Sequence, residues 1–227
     1  MRVLAVVHQD DAGPGVFADA VGARGDSLEV WRPDRGDAPP SDFDAVMVFG
    51  GAMNVGDPLP WLAPEKGFLR DVVGAGTPVL GVCLGAELLA EVAGGSVRRS
   101  DPPEIGWYEV EVDGSGDALM AGLPERFTAF GWHSYEAVLP PSGISLARSS
   151  GCMQAYRLDG ALAWGIQFHA EVSPADVRRW IENFHTDPDA AGLDPAAVLA
   201  ESEPRLEAWN ELGRALCARF LDAADGR

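Results

Sequence analysis

The length, charge and cysteine content of this chain exclude several classes of protein. Its 227 residues can bury a sizeable core, and we expect one domain that spans residues 1–227. A formal net charge of −18 disfavours a nucleic-acid partner, and no apolar run reaches the length that crosses a membrane. Three widely spaced cysteines argue against a disulfide framework and indicate a cytoplasmic protein, and no cysteine–histidine pair has the spacing of metal ligands.

The first part of the chain alternates strand and helix patterns. Apolar runs predict strands over 2–8, 27–31 and 43–49, with a helix over 16–21 and another over 65–73. This alternation is typical of a parallel sheet with helices on both faces. Such sheets bind ligands at the carboxyl ends of their strands.

Two glycines, Gly50 and Gly51, follow the third predicted strand at that edge of the sheet. They fit a plain turn. They also fit a loop whose missing side chains let a backbone N–H approach a carbonyl under nucleophilic attack. The segment by itself leaves both interpretations open.

A strand that turns at once into a helix is predicted around Cys83. The apolar run from Pro78 leads into it, and Gly81 and Gly85 stand two residues before and after it. This is the G-x-nucleophile-x-G pattern of a nucleophile elbow, with cysteine as the nucleophile. The glycines leave room for the sharp turn, and the positive end of the following helix favours the reactive thiolate. A buried cysteine between packing glycines is the alternative.

A candidate general base lies near residue 170. The run from Gly165 to Val172 is predicted to be a strand that carries His169 and Glu171 on one face, since residues i and i+2 share a face. The residue types fit a triad in which Cys83 attacks, His169 takes its proton and Glu171 orients the imidazole. The alternative is a structural histidine at the end of a strand.

The sequence pattern changes in the stretch between these candidate residues. Residues 95–167 alternate polar and apolar positions between turns rich in glycine and proline, which predicts mostly antiparallel strands. His133 within it is a rival base, but a histidine between aromatic residues is more often structural, and no carboxylate stands two residues further on.

The C-terminal part, residues 173–227, is predicted to be a helical segment packed on a catalytic core of residues 1–172. One helix starts after Ser173–Pro174 and continues towards Phe184, and a loop covers 186–195. A long helical pattern over 196–221, broken at Pro204, carries an apolar stripe made of Leu206, Trp209, Leu212, Leu216 and Phe220. We expect this stripe to pack on the sheet; a partner-binding face is the alternative.

Three segments, in this order and spacing, resemble class I glutamine amidotransferases of the triad type. The segments are Phe49-Gly50-Gly51-Ala52-Met53-Asn54, Gly81-Val82-Cys83-Leu84-Gly85 and Gly165-Ile166-Gln167-Phe168-His169-Ala170-Glu171. The similarity is greatest to free-standing proteins that resemble the glutaminase domain of GMP synthase. Pro60–Glu65 and Glu104–Trp107 also resemble that subgroup. No phosphate-binding G-x-x-x-x-G-K-S/T loop is present, so we do not expect this chain to be a complete GMP synthase.

The resemblance implies a flavodoxin-like α/β fold, with a mostly parallel central sheet, flanking helices and an antiparallel extension. It implies a triad of Cys83, His169 and Glu171, and an oxyanion hole formed by the N–H groups of Gly51 and Leu84. It also implies substrate contacts from four further residues. The reaction that it implies needs neither a metal nor an organic cofactor. Those four are Gly50, Glu87, Ser134 and Tyr135, of which Ser134 and Tyr135 hold the α-amino and α-carboxylate groups of glutamine.

One departure from the family pattern concerns the substrate. Glu87 stands four residues after the nucleophile, where these enzymes usually carry Gln, and therefore on the helix face that carries the sulfur. A carboxylate there favours a cationic amino group and opposes the helix dipole. Two interpretations of Glu87 remain open. Its carboxylate changes the choice of substrate, or its side chain turns to solvent or pairs with an arginine.

Three functions remain open from the sequence. The first is a glutaminase that cleaves the γ-amide of glutamine through a Cys83 thioester and supplies ammonia to a synthetase partner. The second is a free-standing γ-glutamyl hydrolase or transferase that acts on γ-glutamyl amines or peptides. The third is a non-catalytic regulatory relative, against which the intact Cys83, His169 and Glu171 speak.

Overall fold

The computed structural model describes residues 1–114, 116–183, 187–190 and 192–226, and Phe184 of the predicted helical segment lies outside these ranges. In the described part of the chain one sheet runs in the order β2-β1-β3-β4-β9-β8-β7-β5-β6. The strands are β1 (Arg2–Val6), β2 (Ser27–Trp31), β3 (Ala45–Val48), β4 (Val79–Val82), β5 (Ser96–Val112), β6 (Arg126–Val138), β7 (Gly143–Arg148), β8 (Met153–Leu158) and β9 (Ala163–Ile166). The helices are α1 (Gly15–Ala23), α2 (Leu62–Gly74), α3 (Leu84–Val92), α4 (Pro174–Asn183), α5 (Pro195–Ser202) and α6 (Leu206–Ala224).

The first five strands of that order are parallel. β1 pairs with β2 and β3, and β4 pairs with β3 and β9, all in parallel register. Every residue of β3, β4 and β9 is buried. Continuous apolar runs of this kind are expected where helices cover both faces of a parallel sheet.

The other four strands are antiparallel and extend the sheet from β9. β8 pairs with β9, β7 with β8, and the long β5 with both β7 and β6. This arrangement confirms the predicted α/β fold, in which a parallel sheet with flanking helices carries an antiparallel extension.

Two apolar layers cover the sheet. Val3 and Ala5 of β1 face the layer that contains α1 and α6, whereas Leu4 and Val6 face the layer that contains α2 and α3. The alternation follows from the two-residue period of a strand. Four residues of the α6 stripe are buried, namely Leu206, Trp209, Leu216 and Phe220.

The predicted break in the C-terminal helical pattern is present. α5 ends at Ser202 and α6 begins at Leu206, on either side of Pro204. None of the helices described is both long and apolar enough to traverse a lipid bilayer.

Candidate active site

Cys83 occupies the joint between β4 and α3 in a strained backbone conformation. Its φ of 53° and ψ of −113° make it the one non-glycine residue with positive φ among those described. A Cβ added at Gly81 would lie 2.5 Å from the carbonyl oxygen of Gly85, and one added at Gly85 would lie 2.0 Å from that of Val48. Both positions therefore require glycine, and the turn has the geometry that the sequence predicts for a nucleophile elbow.

Cys83 lies next to a buried histidine–glutamate pair. The ring of His169 interacts electrostatically with the sulfur of Cys83, and its Nδ1 lies 2.7 Å from Oε1 of Glu171. Burial by itself would lower the pKa of His169, but the charge of Glu171 and the sulfur of Cys83 raise it to about 10. His169 therefore holds a proton at neutral pH, and that proton is available to a leaving amine.

The prediction that His169 and Glu171 lie on a strand is wrong. β9 ends at Ile166, so His169 and Glu171 lie in an irregular segment beyond the strand and not on one of its faces. Once the strand ladder has ended, other groups must bond the backbone carbonyls of a buried segment.

Two helices supply those partners. The Nε1 atom of Trp209 donates to the carbonyl oxygen of His169 at 2.9 Å, and Nδ2 of Asn210 donates to that of Val172 at 2.7 Å. Both donors lie on α6. From the start of α1, the N–H of Val16 donates to the carbonyl oxygen of Glu171 at 2.7 Å. The carbonyls of the candidate base and its carboxylate are thus bonded from outside the sheet, whereas the N–H of His169 donates to the carbonyl oxygen of Phe130 on β6 at 2.8 Å.

The double glycine lies against the same side chains. A Cβ added at Gly50 would approach Cε1 of His169 to 3.0 Å and Cβ of Cys83 to 3.5 Å. Gly51 and Leu84 both line the cavity in front of Cys83. Leu84 is the first residue of α3, where a backbone N–H has no partner within the helix. Two candidate oxyanion donors therefore reach one cavity.

That cavity has a volume of about 490 Å³, enough for an amino acid with a further group attached. Glu87, Ser134 and Tyr135 line it, as expected for substrate contacts, whereas Gly50 is packed behind the side chains of Cys83 and His169. The residues that complete the wall are Gln9, Asp11, Ala12, Ala52, Met53, Asn54, Arg99, Trp132, His133, Trp180, Asn183, Asp187 and Asp189.

Glu87 does not turn to solvent, and it pairs with no arginine among the described residues. Its side chain is buried, and its Oε1 lies 3.2 Å from Nε2 of Gln167, which donates to it. Burial raises the pKa of Glu87, although Gln167, His133 and His169 counteract the shift. A carboxyl group in this position favours its neutral form more than an exposed one does.

The cavity wall contains an ion pair that the sequence did not predict. Arg99 of β5 pairs with Asp189, which follows α4 in a short 3₁₀ turn over Pro188–Ala190. The pKa of Asp189 is lowered by a hydrogen bond from the Ser134 side chain and by Arg99. Nearby, Nε1 of Trp132 donates to Asp187 at 2.9 Å. These contacts join residues from three distant parts of the chain, which no local pattern reveals.

His133 belongs to a separate polar cluster. Its Nδ1 faces the carbonyl oxygen of Tyr135 at 2.9 Å, and its Nε2 lies 3.2 Å from Glu104. The donor atoms of Glu104, His133 and Cys152 lie within 4.8 Å of one another, a set that could hold a metal ion and that sequence spacing did not reveal. Glu104 already accepts hydrogen bonds from neighbouring side chains, including Ser149 at 2.5 Å. Glu104 and His133 therefore already have hydrogen-bond partners within the protein.

Comparison with known proteins gives one consistent family. The profile of class I glutamine amidotransferases matches residues 16–187. The chain is 30% identical to the glutamine amidotransferase-like protein YfeJ of Salmonella typhimurium, an alignment that covers 98% of this chain and 96% of that protein. It is 36% identical to a subunit of the glutamine-hydrolyzing GMP synthase of Sulfolobus acidocaldarius over 143 residues, which are 62% of this chain and 73% of that protein.

Solved structures agree with the sequence comparison. A glutamine amidotransferase from Methylobacillus flagellatus superposes with a TM-score of 0.88 at 31% identity, over 97% of this chain and 94% of that one. A glutamine amidotransferase from Thermotoga maritima gives a TM-score of 0.87 at 27% identity, over 99% and 97% of the two chains. The chain therefore belongs to the class I glutamine amidotransferase family, as its three motifs predict.

Proposed function

We propose that this protein hydrolyses the γ-amide of glutamine through a thioester on Cys83 and releases glutamate and ammonia. The observation that carries the proposal is the series from Cys83 through His169 to Glu171, which borders a cavity of about 490 Å³. Neither a metal nor an organic cofactor has a part in the proposed reaction.

In the proposed mechanism, the sulfur of Cys83 attacks the side-chain carbonyl carbon of glutamine. The developing oxyanion is stabilised by the N–H groups of Gly51 and Leu84, each typically worth roughly 3 kcal/mol of barrier. His169 gives its proton to the departing nitrogen, so ammonia leaves and the thioester forms. His169 then takes a proton from water, whose attack on the thioester frees glutamate and releases the Cys83 sulfur beside the protonated imidazole. Glu171 keeps the imidazole oriented and stabilises its charged form.

The ammonia acceptor in this proposal is a synthetase partner. Support comes from the similarity to the GMP synthase subunit of Sulfolobus acidocaldarius, whose name describes one part of a larger enzyme. The three cysteines form no disulfide among the described residues, which fits a reaction in the reducing cytoplasm.

The deciding experiment labels the nucleophile with a substrate analogue. A diazo-ketone analogue of glutamine should add one label to the wild-type protein, seen by intact-mass spectrometry, and free glutamine should suppress the labelling. Cys83→Ala should remain unlabelled. If the wild type resists the analogue while Cys83 still reacts with iodoacetamide, the cavity does not accept glutamine and the proposal fails.

Glu87 supports a second candidate, a hydrolase or transferase for γ-glutamyl amines or peptides. A buried carboxyl group in the cavity, in place of the Gln that is usual in the family pattern, changes the polar groups offered to the substrate. Wild type and Glu87→Gln should be compared on glutamine and on γ-glutamyl amines. A wild type that prefers the amines, with the preference reversed in Glu87→Gln, favours this candidate over the glutaminase.

A further inference from the structure

A second histidine–glutamate pair lies behind the candidate oxyanion loop. His8 and Glu65 are 1% and 0% exposed, and Nε2 of His8 lies 2.8 Å from Oε1 of Glu65. The other ring nitrogen, Nδ1, lies 3.2 Å from the carbonyl oxygen of Gly50. Neither residue has a part in the mechanism above, although Glu65 belongs to one of the segments shared with the GMP-synthase-like subgroup.

Three elements bring this pair together. His8 follows β1, Gly50 follows the adjacent parallel strand β3, and Glu65 lies in the first turn of α2. Trp61, which caps α2, stacks on the His8 ring with 5.6 Å between ring centroids. The imidazole is therefore fixed by an aromatic face, a carboxyl group and a backbone carbonyl.

The contact with Gly50 decides where the next N–H points. In a trans peptide the C=O of one residue and the N–H of the next point in opposite directions. A Gly50 carbonyl directed at His8 therefore directs the Gly51 N–H away from His8. His8 packs close behind, since a Cβ added at Gly51 would lie 3.2 Å from the His8 Cβ. Gly51 itself lines the cavity in front of Cys83.

We infer that His8 is a positioning residue: held by Glu65, it fixes the Gly50–Gly51 peptide with its N–H towards the substrate carbonyl. The inference rests on the proposed function, because it assigns that N–H to the oxyanion. His8 is not a second base, since both of its ring nitrogens are occupied, one by Gly50 and one by Glu65.

The energetics of the pair agree with a functional role. Oε2 of Glu65 is buried and has no hydrogen-bond partner among the described residues. Replacing a buried ion pair by apolar groups is often neutral or stabilising, so such a pair is weak evidence for a stabilising role. A carbonyl only accepts hydrogen bonds, so His8 must keep a proton on Nδ1, and Glu65 holds the ring in the orientation that presents it.

Two substitutions separate the two contacts of the ring. The side-chain nitrogen of asparagine overlays Nδ1 of histidine, and that of glutamine overlays Nε2. His8→Asn therefore keeps a donor for the Gly50 carbonyl, whereas His8→Gln keeps only the contact with Glu65. We expect His8→Gln to lower kcat for glutamine on the order of 10²-fold with little change in KM, the typical effect of losing one oxyanion donor. His8→Asn should recover at least about tenfold of that loss, since it restores the donor.

Alkylation of Cys83 by iodoacetamide supplies the discriminating readout. This displacement at carbon builds no oxyanion, so its rate should be unchanged in His8→Gln while kcat falls. An alkylation rate that falls in parallel with kcat would show that the substitution disturbs Cys83 or His169, and would overturn the inference. An equal loss of kcat in His8→Asn and His8→Gln would also overturn it.

The inference stays testable if the proposed function fails. Should the wild type hydrolyse neither glutamine nor γ-glutamyl amines, crystal structures of the two variants give the answer. The Gly50–Gly51 peptide should be turned over in His8→Gln and unchanged in His8→Asn. A peptide that keeps its wild-type direction in His8→Gln refutes the positioning role.

Discussion

Nδ1 of His169 lies 2.7 Å from Oε1 of Glu171 although both residues follow β9 and neither lies within a strand. A regular strand would place the two side chains on one face but would leave each free to choose its rotamer. Here the segment is irregular, and its carbonyls are bonded from α1 and α6. The contact therefore depends on helices that are far away in sequence.

The charge of Glu171 is expected to matter more than its shape. Glu171→Gln keeps the size of the side chain but removes the carboxylate that raises the pKa of His169. An amide can also turn its NH₂ towards Nδ1 and favour the wrong tautomer. We expect kcat for glutamine to fall by about 10²- to 10⁴-fold. Glu29→Gln, a matched change at an exposed position of β2, should retain wild-type kcat. A Glu171→Gln enzyme within tenfold of wild type would contradict the assigned role.

The raised pKa of His169 also predicts how stability depends on pH. In the unfolded chain the pKa of a histidine is about 6.5, and in the native protein that of His169 is about 10. The native state therefore binds more protons between these values, so the stabilisation is complete below pH 6.5 and is lost as pH rises towards 10. The free energy of unfolding of wild type, minus that of His169→Gln, should decline over this range in urea titrations. A difference independent of pH would show that His169 is not an imidazolium in the native state.

The raised pKa of Glu87 predicts that the free energy of unfolding also depends on pH in a more acidic range than the one set by His169. Burial raises its pKa, so at neutral pH the native protein must either hold a charged carboxylate in the interior or keep it protonated. Glu87→Gln removes that cost, and we expect the variant to have the higher free energy of unfolding at pH 7. The gain should shrink as the pH falls towards 4.5, the unperturbed pKa, because the carboxyl group is then largely neutral in the native state and half neutral in the unfolded chain. Urea titrations at pH 4.5 and pH 7 measure it, and a gain of the same size at both would point to packing instead of charge.

The features that were predicted correctly depend on residues that are close together in the chain. The bounds of β2 agree with the predicted 27–31, and α3 begins directly after Cys83 as the glycine-flanked elbow predicts. The strained Cys83 was predictable for the same reason, because Gly81 and Gly85 stand beside it in the chain.

What the sequence did not predict depends on tertiary placement. The Arg99–Asp189 pair joins residues 90 positions apart, and the His8–Glu65 pair joins residues 57 apart. Neither has a periodic or a spacing signature. The His169–Glu171 contact was predicted from strand geometry that is absent, so the predicted pairing is present for a different physical reason. The predicted strand continued past Ile166 because Phe168 and Val172 extend the apolar pattern, whereas in the fold those residues pack into the layer shared with α6.

The packing of α6 against the segment that carries His169 and Glu171 gives the last prediction. A Cβ added at Gly213 would lie 2.0 Å from the carbonyl oxygen of Ala170, the residue between His169 and Glu171. Gly213→Ala must therefore move either α6 or the segment that carries the candidate base. Overpacking of this kind typically costs about 1–3 kcal/mol, which outweighs the gain in helix propensity of about 1 kcal/mol. We expect a lower free energy of unfolding and a lower kcat.

Gly22→Ala is the matched control for this substitution. Gly22 lies in α1 with nothing within 4 Å of the added Cβ, so the change should stabilise the protein by up to about 1 kcal/mol and leave kcat unaltered. Urea titrations and glutaminase assays on both variants separate helix propensity from displacement of His169. If Gly213→Ala lowers stability but keeps wild-type kcat, the strain is absorbed within α6, and the geometry of the candidate site does not depend on that helix.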